Sequence, residues 1–310
     1  MKSYNQVLPF SFPDGITLTV KREDRVHPFL SGNKYRKMKY NLEQARKEGY
    51  TKLLTFGGAF SNHIAAVAAA GAHFGLETIG VIRGEELESE IEANATLRLA
   101  QEQGMKFDFV SRESYRAKED LFFLEKLKEK YGAFYLLPEG GTNTLAVKGC
   151  EEILETTDKT QFTHICCAVG TGGTISGLIN SCGENQKVIG FPALKGSFLS
   201  DEICKFVNND RWELINDYHF GGYAKINEDL IRFNNDFYAQ TAVLLDPVYT
   251  GKMAYGIIDR IKKGYFPGGS TILMIHTGGL QGIEGMNKIL ARKKMPLLIE
   301  NIVCKKENND

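Results

Sequence analysis

The sequence lacks several features that would assign it to whole classes of protein. Lysine plus arginine and aspartate plus glutamate both number 38 in the 310 residues, so the formal net charge is zero and no basic excess indicates nucleic-acid binding. No apolar run reaches the length of a membrane span, and residues 1–18 lack the apolar core of a signal peptide. We therefore expect a cytoplasmic globular protein that binds neither nucleic acid nor membrane.

Motifs typical of disulfide and metal sites are missing as well. None of the cysteines stands in a C-x-x-C pair, and two of them are adjacent within an apolar run. We interpret all of them as buried, reduced thiols and predict neither disulfides nor a metal site. They are Cys150, Cys166, Cys167, Cys182, Cys204 and Cys304.

What the sequence does contain is an alternation of short apolar runs with amphipathic segments. The predicted strands are residues 53–56, 78–82, 106–110, 133–137, 164–169, 188–191 and 271–275. The predicted helices are residues 61–75, 91–103, 117–130, 143–156, 173–182, 228–240, 252–263 and 280–292, and residues 30–50 start like a loop and finish like a helix. This order predicts an α/β fold, with parallel sheets and helices on both faces.

Glycine-rich turns follow four of the predicted strands. Hydroxyl or amide side chains stand beside the glycines in each turn, and ligands of such folds collect beyond the carboxyl ends of the strands. Four such turns at one edge predict a shared small-molecule site. The turns are residues 57–63 (GGAFSNH), 138–143 (PEGGTN), 170–174 (GTGGT) and 276–279 (HTGG).

The turn at residues 170–174 suits a phosphate group. Its glycines let backbone N–H groups approach an anion, and the following helix N-terminus adds a favourable potential. It matches neither the Walker motif nor the dinucleotide G-x-G-x-x-G spacing. A tight strand-to-helix turn without a ligand is the alternative interpretation.

Lys34 and Lys37 stand three residues apart, just after the turn-like residues 31–33, and so share a helix face. The start of a helix favours anions over cations, so solvation alone does not explain why two lysines stand there. Together with a phosphate cradle, they suggest pyridoxal phosphate held as a Schiff base on Lys34, with Lys37 paired to the phosphate. Taken alone, the pair would be better explained as solvated surface lysines, and the other motifs reverse that preference.

Six motifs together resemble those of the D-cysteine desulfhydrase and 1-aminocyclopropane-1-carboxylate (ACC) deaminase family. That family belongs to the fold type II, tryptophan synthase β-like, pyridoxal-phosphate enzymes, and the similarity spans most of the chain. The motifs are GNKYRK (32–37), GGAFSNH (57–63), GTGGT (170–174), GGYAK (221–225), DPVYTGK (246–252) and HTGG (276–279).

The resemblance implies roles for individual residues. Lys34 would bind the cofactor and Asn62 would contact its ring hydroxyl. Tyr223, Tyr249 and Ser61 would act at the reacting substrate, and Ser61, Asn62 and His63 would face it. The phosphate would be held by Gly170, Thr171, Gly172, Gly173 and Thr174. The resemblance also implies a small domain of residues 41–145 over a large domain of residues 1–40 and 146–310, and a homodimer.

Simpler interpretations of these residues stay open. Ser61 could merely cap a helix, His63 could be a capping or buried structural residue, Tyr223 could lie in a surface turn, and Tyr249 could be a packed aromatic.

One departure from the family motif bears on the substrate: SNHIAA places Ala65 and Ala66 where family members often have Arg and Gln.

The pair Thr250 and Thr277 selects between the two activities of the family. In ACC deaminases the corresponding motifs resemble DPVYEGK and HLGG. The glutamate of DPVYEGK keeps the pyridine nitrogen of the cofactor protonated, so the cofactor withdraws electrons more strongly. A threonine can only donate a hydrogen bond to that nitrogen, which suffices for β-elimination. We therefore predict that a small amino acid, most plausibly D-cysteine, is converted to pyruvate, ammonia and sulfide.

Other functions remain as alternatives. The chain could be an ACC deaminase, could eliminate or deaminate another small amino acid, or could bind the cofactor without turnover. A nucleotide-binding enzyme that uses GTGGT would leave Lys34 unexplained.

Overall fold

The computed structural model describes residues 3–27, 30 and 32–300. Within these ranges the strands are β1 Asn5–Val7, β2 Thr17–Lys21, β3 Lys52–Gly57, β4 Glu77–Arg83, β5 Lys106–Val110, β6 Tyr135–Leu137, β7 His164–Val169, β8 Lys187–Pro192, β9 Trp212–Leu214 and β10 Thr271–Ile275. The helices are α1 Asn33–Lys47, α2 Asn62–Phe74, α3 Ala95–Glu102, α4 Arg112–Arg116, α5 Leu121–Tyr131, α6 Thr144–Cys150, α7 Asp158–Gln161, α8 Gly173–Ser181, α9 Phe198–Cys204, α10 Glu228–Thr241, α11 Thr250–Lys262 and α12 Gly282–Arg292.

The larger of two sheets has the strand order β1-β2-β10-β7-β8-β9. All neighbouring strands are parallel except β1, which runs antiparallel to β2 at one edge. Cys166 and Ala168 of β7 pack on the α11 side, whereas Ile165, Cys167 and Val169 pack on the α8 side. A strand covered on both faces is continuously apolar, which accounts for the run HICCAV.

The smaller sheet has the order β5-β4-β3-β6, with every pair parallel. One face packs against α1, α2 and α3, and the other against α4 and α5. The predicted α/β fold of parallel sheets with helices on both faces is thus confirmed. All four strands lie within the region predicted as the small domain, whose boundaries at 41 and 145 stay a prediction.

Every predicted strand and helix lies at or near its expected place, but short elements were missed. The strand β2, whose sequence is TLTVK, is buried from Leu18 to Lys21 although Thr19 and Lys21 are polar. Lys21 is tolerated there because its ammonium lies 2.7 Å from the buried Asp158 carboxylate, 137 residues away in the chain. No local pattern reveals that partner. The strands β1 and β9 and the helices α4, α7 and α9 were also missed.

The cysteines depart from the expected burial partly at Cys182 and fully at Cys204. Cys150, Cys166 and Cys167 are free and buried, and Cys182 is free and half-buried, but Cys204 is exposed at the end of α9. The prediction that all are buried is therefore wrong for Cys204, and Cys304 lies outside the described residues. Within the described ranges, no helix is both long enough and apolar enough to cross a membrane.

Candidate active site

The four glycine-rich turns meet between the two sheets. The turns after β3 and β6 come from the smaller sheet and those after β7 and β10 from the larger, so they lie on two facing edges rather than one. The Gln281 amide donates to the Asn62 side-chain oxygen at 2.7 Å, and the hydroxyls of Thr142 and Thr171 are 2.6 Å apart. A Cβ atom at Gly141 would lie 2.6 Å from the His63 ring, so the two pairs of turns also meet each other and all four form one site.

Helix α1 begins against the turn that follows β10. Gly32 precedes the helix with φ 61° and ψ −135°, a conformation that suits glycine. A Cβ atom at Gly32 would lie 2.1 Å from the Thr277 carbonyl oxygen, which also accepts the Asn33 backbone N–H at 3.4 Å. This close approach holds Lys34 in a defined position beside β10. Ser31, the preceding residue of the predicted turn, lies outside the described residues.

Lys34 and Lys37 converge on a single acceptor. Both ammonium nitrogens lie 3.0 Å from the Gly140 carbonyl oxygen, and that of Lys37 also lies 3.0 Å from the Thr142 hydroxyl. Burial and repulsion by Lys37 hold the pKa of Lys34 well below its usual value, and burial also lowers the pKa of Lys37. A lysine that is readily neutral is a nucleophile for an aldehyde, as the prediction for Lys34 requires.

The turn after β7 forms an anion cradle at the start of α8. Gly172 has φ 84° immediately before the helix, and no side chain among the described residues caps its first N–H groups. Thr171 is linked to Lys37 through the Thr142 hydroxyl. Thr174 accepts a hydrogen bond from the Asn33 side chain at 2.7 Å, which ties the cradle to α1. Lys37 therefore adds its charge on the side of the cradle that faces α1.

Ser61 caps α2, and Asn62 is held between two turns. The Ser61 hydroxyl accepts the N–H groups of His63 and Ile64 at 3.2 and 3.4 Å. A Cβ atom at Gly279 would lie 2.8 Å from the Asn62 side-chain nitrogen. The capping interpretation of Ser61 is thus correct, and its contact with substrate, like that of Asn62 with the cofactor, stays a prediction.

His63 is not a cap but a buried ring without a well-formed hydrogen bond. Its side chain is 2% exposed, and neither ring nitrogen has a partner of acceptable geometry among the described residues, although the Pro138 carbonyl is near enough to favour protonation. Burial, with the charges of Lys34 and Lys37, places its pKa well below the usual value. A neutral imidazole that lacks a partner is available to bind a ligand.

Tyr223 and Tyr249 form an aromatic pair at the cleft. Their ring centroids are 6.1 Å apart, and a Cβ atom at Gly170 would lie 3.1 Å from the Tyr249 ring. Burial raises the pKa of Tyr249 well above its usual value and also raises that of Tyr223. Both phenols are therefore protonated at neutral pH and can donate protons, although Tyr223 is 42% exposed.

The Thr250 hydroxyl is engaged with Asp246. It accepts the Asp246 N–H at 2.9 Å and lies 3.3 Å from the Asp246 carboxylate, which caps α11 by accepting the N–H groups of Val248, Tyr249 and Thr250. Burial raises the pKa of Asp246 even though these hydrogen bonds oppose the shift. The backbone carbonyl of Thr277 accepts the Asn33 N–H. Contacts of either threonine with the cofactor stay predictions.

Sequence reasoning missed other site residues. Gly140 and Thr142, which accept the lysine hydrogen bonds, belong to a turn that was predicted to line the shared site, but neither residue was given a role. Asp246 was overlooked within DPVYTGK, although an Asp-Pro pair ahead of a helix indicates a cap. Arg83, the last residue of β4, lies beside Gly58, and its place directly after an apolar strand was the available signal.

These residues fit pyridoxal phosphate. A lysine with a lowered pKa can bind the aldehyde, and the uncapped start of α8 with Lys37 can hold the phosphate. Asn62 is positioned on the adjoining turn, where a side-chain amide could reach a ring hydroxyl. The glycines at positions 32 and 279 leave no room for side chains and keep the turns close together.

Comparison with known proteins agrees with this assignment. A family model described as pyridoxal-phosphate dependent enzyme matches residues 9–278. A putative 1-aminocyclopropane-1-carboxylate deaminase of Thermotoga maritima is 33% identical over 298 residues, which span 89% of this chain and 93% of the relative. The mitochondrial bifunctional D-cysteine desulfhydrase/1-aminocyclopropane-1-carboxylate deaminase of Arabidopsis thaliana is 32% identical, over 87% of this chain and 74% of the relative.

Two further similarities point the same way. A D-cysteine desulfhydrase of Klebsiella pneumoniae is 28% identical over 86% of this chain and 87% of the relative. The crystal structure of an ACC deaminase homologue superposes with a TM-score of 0.82 and 29% identity, covering 94% of each chain. These relatives carry the names of both activities that the motifs suggest.

Proposed function

The chain belongs to the family of pyridoxal-phosphate dependent enzymes, and on that premise we propose that it catalyses α,β-elimination of a small amino acid, with D-cysteine as the leading substrate. One D-cysteine and one water would yield pyruvate, ammonia and hydrogen sulfide. The observation that supports this most directly is the convergence of Lys34 and Lys37 on the Gly140 carbonyl, beside the uncapped start of α8. That arrangement provides a nucleophilic amine and a separate cation for a phosphate.

The cofactor is pyridoxal phosphate, which when bound withdraws electrons from the α-carbon and so stabilises the charge that develops there. Lys34 would bind its aldehyde carbon. Gly170 through Thr174, with Lys37, would hold the phosphate, and Asn62 would contact the ring hydroxyl. The backbone N–H groups and the cation suit the charge of a phosphate.

The protein groups would have separate roles at the substrate. Lys34, with its lowered pKa, is suited to accept the α-proton as a general base. The phenols of Tyr223 and Tyr249, which their raised pKa values keep neutral, would orient the departing sulfur through hydrogen bonds. Ser61 and His63, at the start of α2, would orient the substrate carboxylate, because the Ser61 hydroxyl can donate its proton to an anion while it accepts the N–H groups of the helix.

A screen of D- and L-amino acids for keto-acid release tests this proposal. We expect pyruvate and sulfide from D-cysteine, and a visible cofactor band that borohydride removes by reducing the bond to Lys34. The Lys34→Ala variant is the matched control and should give neither. Borohydride attachment at another lysine, or pyruvate formation by the control, would contradict the assignment of Lys34.

ACC deaminase activity is the second candidate, because the Thermotoga and Arabidopsis relatives carry that name. Thr250 argues against it, since its neutral hydroxyl would leave the pyridine nitrogen largely unprotonated. The test is the ratio of two rates: pyruvate from D-cysteine and 2-oxobutanoate from 1-aminocyclopropane-1-carboxylate. Faster 2-oxobutanoate formation would show that the threonine argument is wrong.

The substitution of Ala65 and Ala66 for the Arg and Gln of many relatives bears on the choice of substrate. Both alanine side chains are buried, at 6% and 4% exposure, so they do not line an exposed surface. If neither substrate reacts, we expect turnover of another small amino acid from the same screen.

A homodimer and a cytoplasmic location, both expected from the sequence, remain part of the proposal, and light scattering would test the first.

A further inference from the structure

Arg83 lies at the carboxyl end of β4, beside the turn that follows the neighbouring strand β3. It ends β4, and its side chain is exposed. One guanidinium nitrogen lies 3.8 Å from the position that a Cβ atom would take on Gly58, three residues before Ser61. The guanidinium carbon lies 5.7 Å from the centre of the Tyr115 ring, within the range of a cation–π contact. The guanidinium is thus positioned beside the turn that leads into α2.

Arg83 has no ion-pair partner within the described residues, although the charge of Glu139 opposes its own at Tyr115 and Tyr223. Within the described residues, no carboxylate comes within 4.0 Å of it, and the acidic residue on the same side of the cleft, Glu139, lies 3.4 Å from the Lys118 ammonium. By contrast, the guanidinium of Arg36 is paired with the buried Glu23. Stacking on Tyr115 therefore orients Arg83 while leaving its fork of N–H donors available for an anion.

The contacts of Arg83 are with Gly58 and Tyr115, and not with Lys34 or Lys37. Its charge acts on the pKa of Tyr223, the exposed member of the tyrosine pair, whereas the charges that act on His63 are those of Lys34 and Lys37. The start of α2, near Ser61, offers a place for the α-carboxylate of an amino acid. A second anionic group on the side chain of that amino acid could then reach the guanidinium that lies beside Gly58.

We propose that Arg83 is a specificity-determining residue that binds an anionic group on the side chain of the amino-acid substrate. The substrate class, beside D-cysteine, would be small amino acids whose β-carbon carries a phosphate or sulfonate group, because each can leave in the proposed elimination and a guanidinium binds such multi-oxygen anions through two parallel hydrogen bonds. The inference rests on the proposed function, since it requires an amino acid bound at the cofactor.

The experiment measures amino-acid binding to the holoenzyme by the change in its visible cofactor band. The ligands are two nearly isosteric pairs, aspartate with asparagine and glutamate with glutamine, each as both enantiomers. We expect the charged member of at least one pair to bind tenfold or more tightly in the unaltered enzyme. Arg83→Gln should bring that ratio close to one, and Arg83→Lys should give an intermediate ratio because lysine keeps the charge without the fork.

Arg46 provides a matched control. It is also exposed, its guanidinium lies 5.0 Å from the centre of the Phe74 ring, and it too has no ion pair in the part of the chain that the structure describes. It stands in the last turn of α1, at the opposite end of that helix from Lys34. Arg46→Gln removes an equivalent charge and stacking contact, and should keep the preference for the charged ligands.

Distinct outcomes would overturn the inference. They are equal binding of charged and neutral partners in the unaltered enzyme, and an unchanged preference in Arg83→Gln. A third is that Arg83→Gln abolishes the preference for alanine over alaninamide, which would assign the guanidinium to the α-carboxylate. If D-cysteine is converted to pyruvate but any of these outcomes is seen, only the role of Arg83 is wrong. If no amino acid perturbs the cofactor band, the proposed function and this inference fail together.

Discussion

Replacing Gly32 with alanine should push helix α1 away from the turn that carries Thr277. The added methyl carbon would lie 2.1 Å from the Thr277 carbonyl oxygen and 2.8 Å from the Gly278 nitrogen, both of which are backbone atoms that cannot rotate aside. Lys34 follows two residues later, so any shift that relieves the overlap also moves the amine that is proposed to bind the cofactor.

The expected loss of stability has two contributions. An L-residue at φ 61° and ψ −135° adopts a conformation that is nearly restricted to glycine, which costs about 1–3 kcal/mol. Overpacking of the methyl group against the backbone adds about 1–3 kcal/mol. The free energy of unfolding should therefore fall by about 2–6 kcal/mol, a large share of the roughly 5–15 kcal/mol that is typical of folded proteins.

Gly49, at the other end of the same helix, allows the two contributions to be separated. It has φ 76°, and a Cβ atom there would meet nothing within 4 Å, so Gly49→Ala should cost only about 1–2 kcal/mol for the left-handed backbone. Urea unfolding gives both losses of stability, and cofactor absorbance after gel filtration gives the retained cofactor. The reasoning would be refuted if Gly32→Ala were no less stable than Gly49→Ala and kept its full cofactor content.

The other predictions concern the cofactor site. Lys34→Ala should fold with unchanged secondary structure by circular dichroism but show no visible cofactor band, and a retained band that borohydride reduces would contradict it. Lys37→Ala should weaken cofactor binding by about 1–3 kcal/mol, the range for a hydrogen bond to a charged group, as measured by equilibrium dialysis. Gly172→Val, at φ 84° and with a Cβ atom only 3.1 Å from Ile203, should weaken it more strongly, and unchanged retention would count against the phosphate cradle. The stability of the cofactor-free protein should rise with pH below the ordinary lysine value of 10.5, because folded Lys34 releases its proton at a lower pH than the unfolded chain does. Lys34→Met should reduce that slope in urea unfolding measured across pH 7 to 10, leaving the part that comes from Lys37, and an unaltered slope would show that Lys34 is not buried as described.

Local patterns were sufficient for the main elements of the fold. The run HICCAV predicted β7, and the alanine-rich segment after Ser61 predicted α2, since their apolar periods and caps are set by neighbours in the chain. The strand β2 was missed because Lys21 is stabilised by Asp158, and a buried ion pair between distant residues leaves no local pattern. Cys204 was predicted to be buried but is exposed, because sequence alone does not determine which face of a short helix such as α9 is covered.

For the site, the sequence by itself determined the chemical groups: a lysine pair, a glycine-rich anion cradle, and hydroxyl, amide and phenol side chains after the strands. Their spacing along the chain is local, so the motifs could be read directly. Only the tertiary structure decided that the turns come from two facing sheets, that Lys34 and Lys37 share the Gly140 carbonyl, that Thr250 is engaged with Asp246, and that Arg83 stands without an acidic partner among the described residues. Each of these depends on contacts between segments that are far apart in sequence, and the burial that lowers the pKa of Lys34 exists only once those segments have packed together.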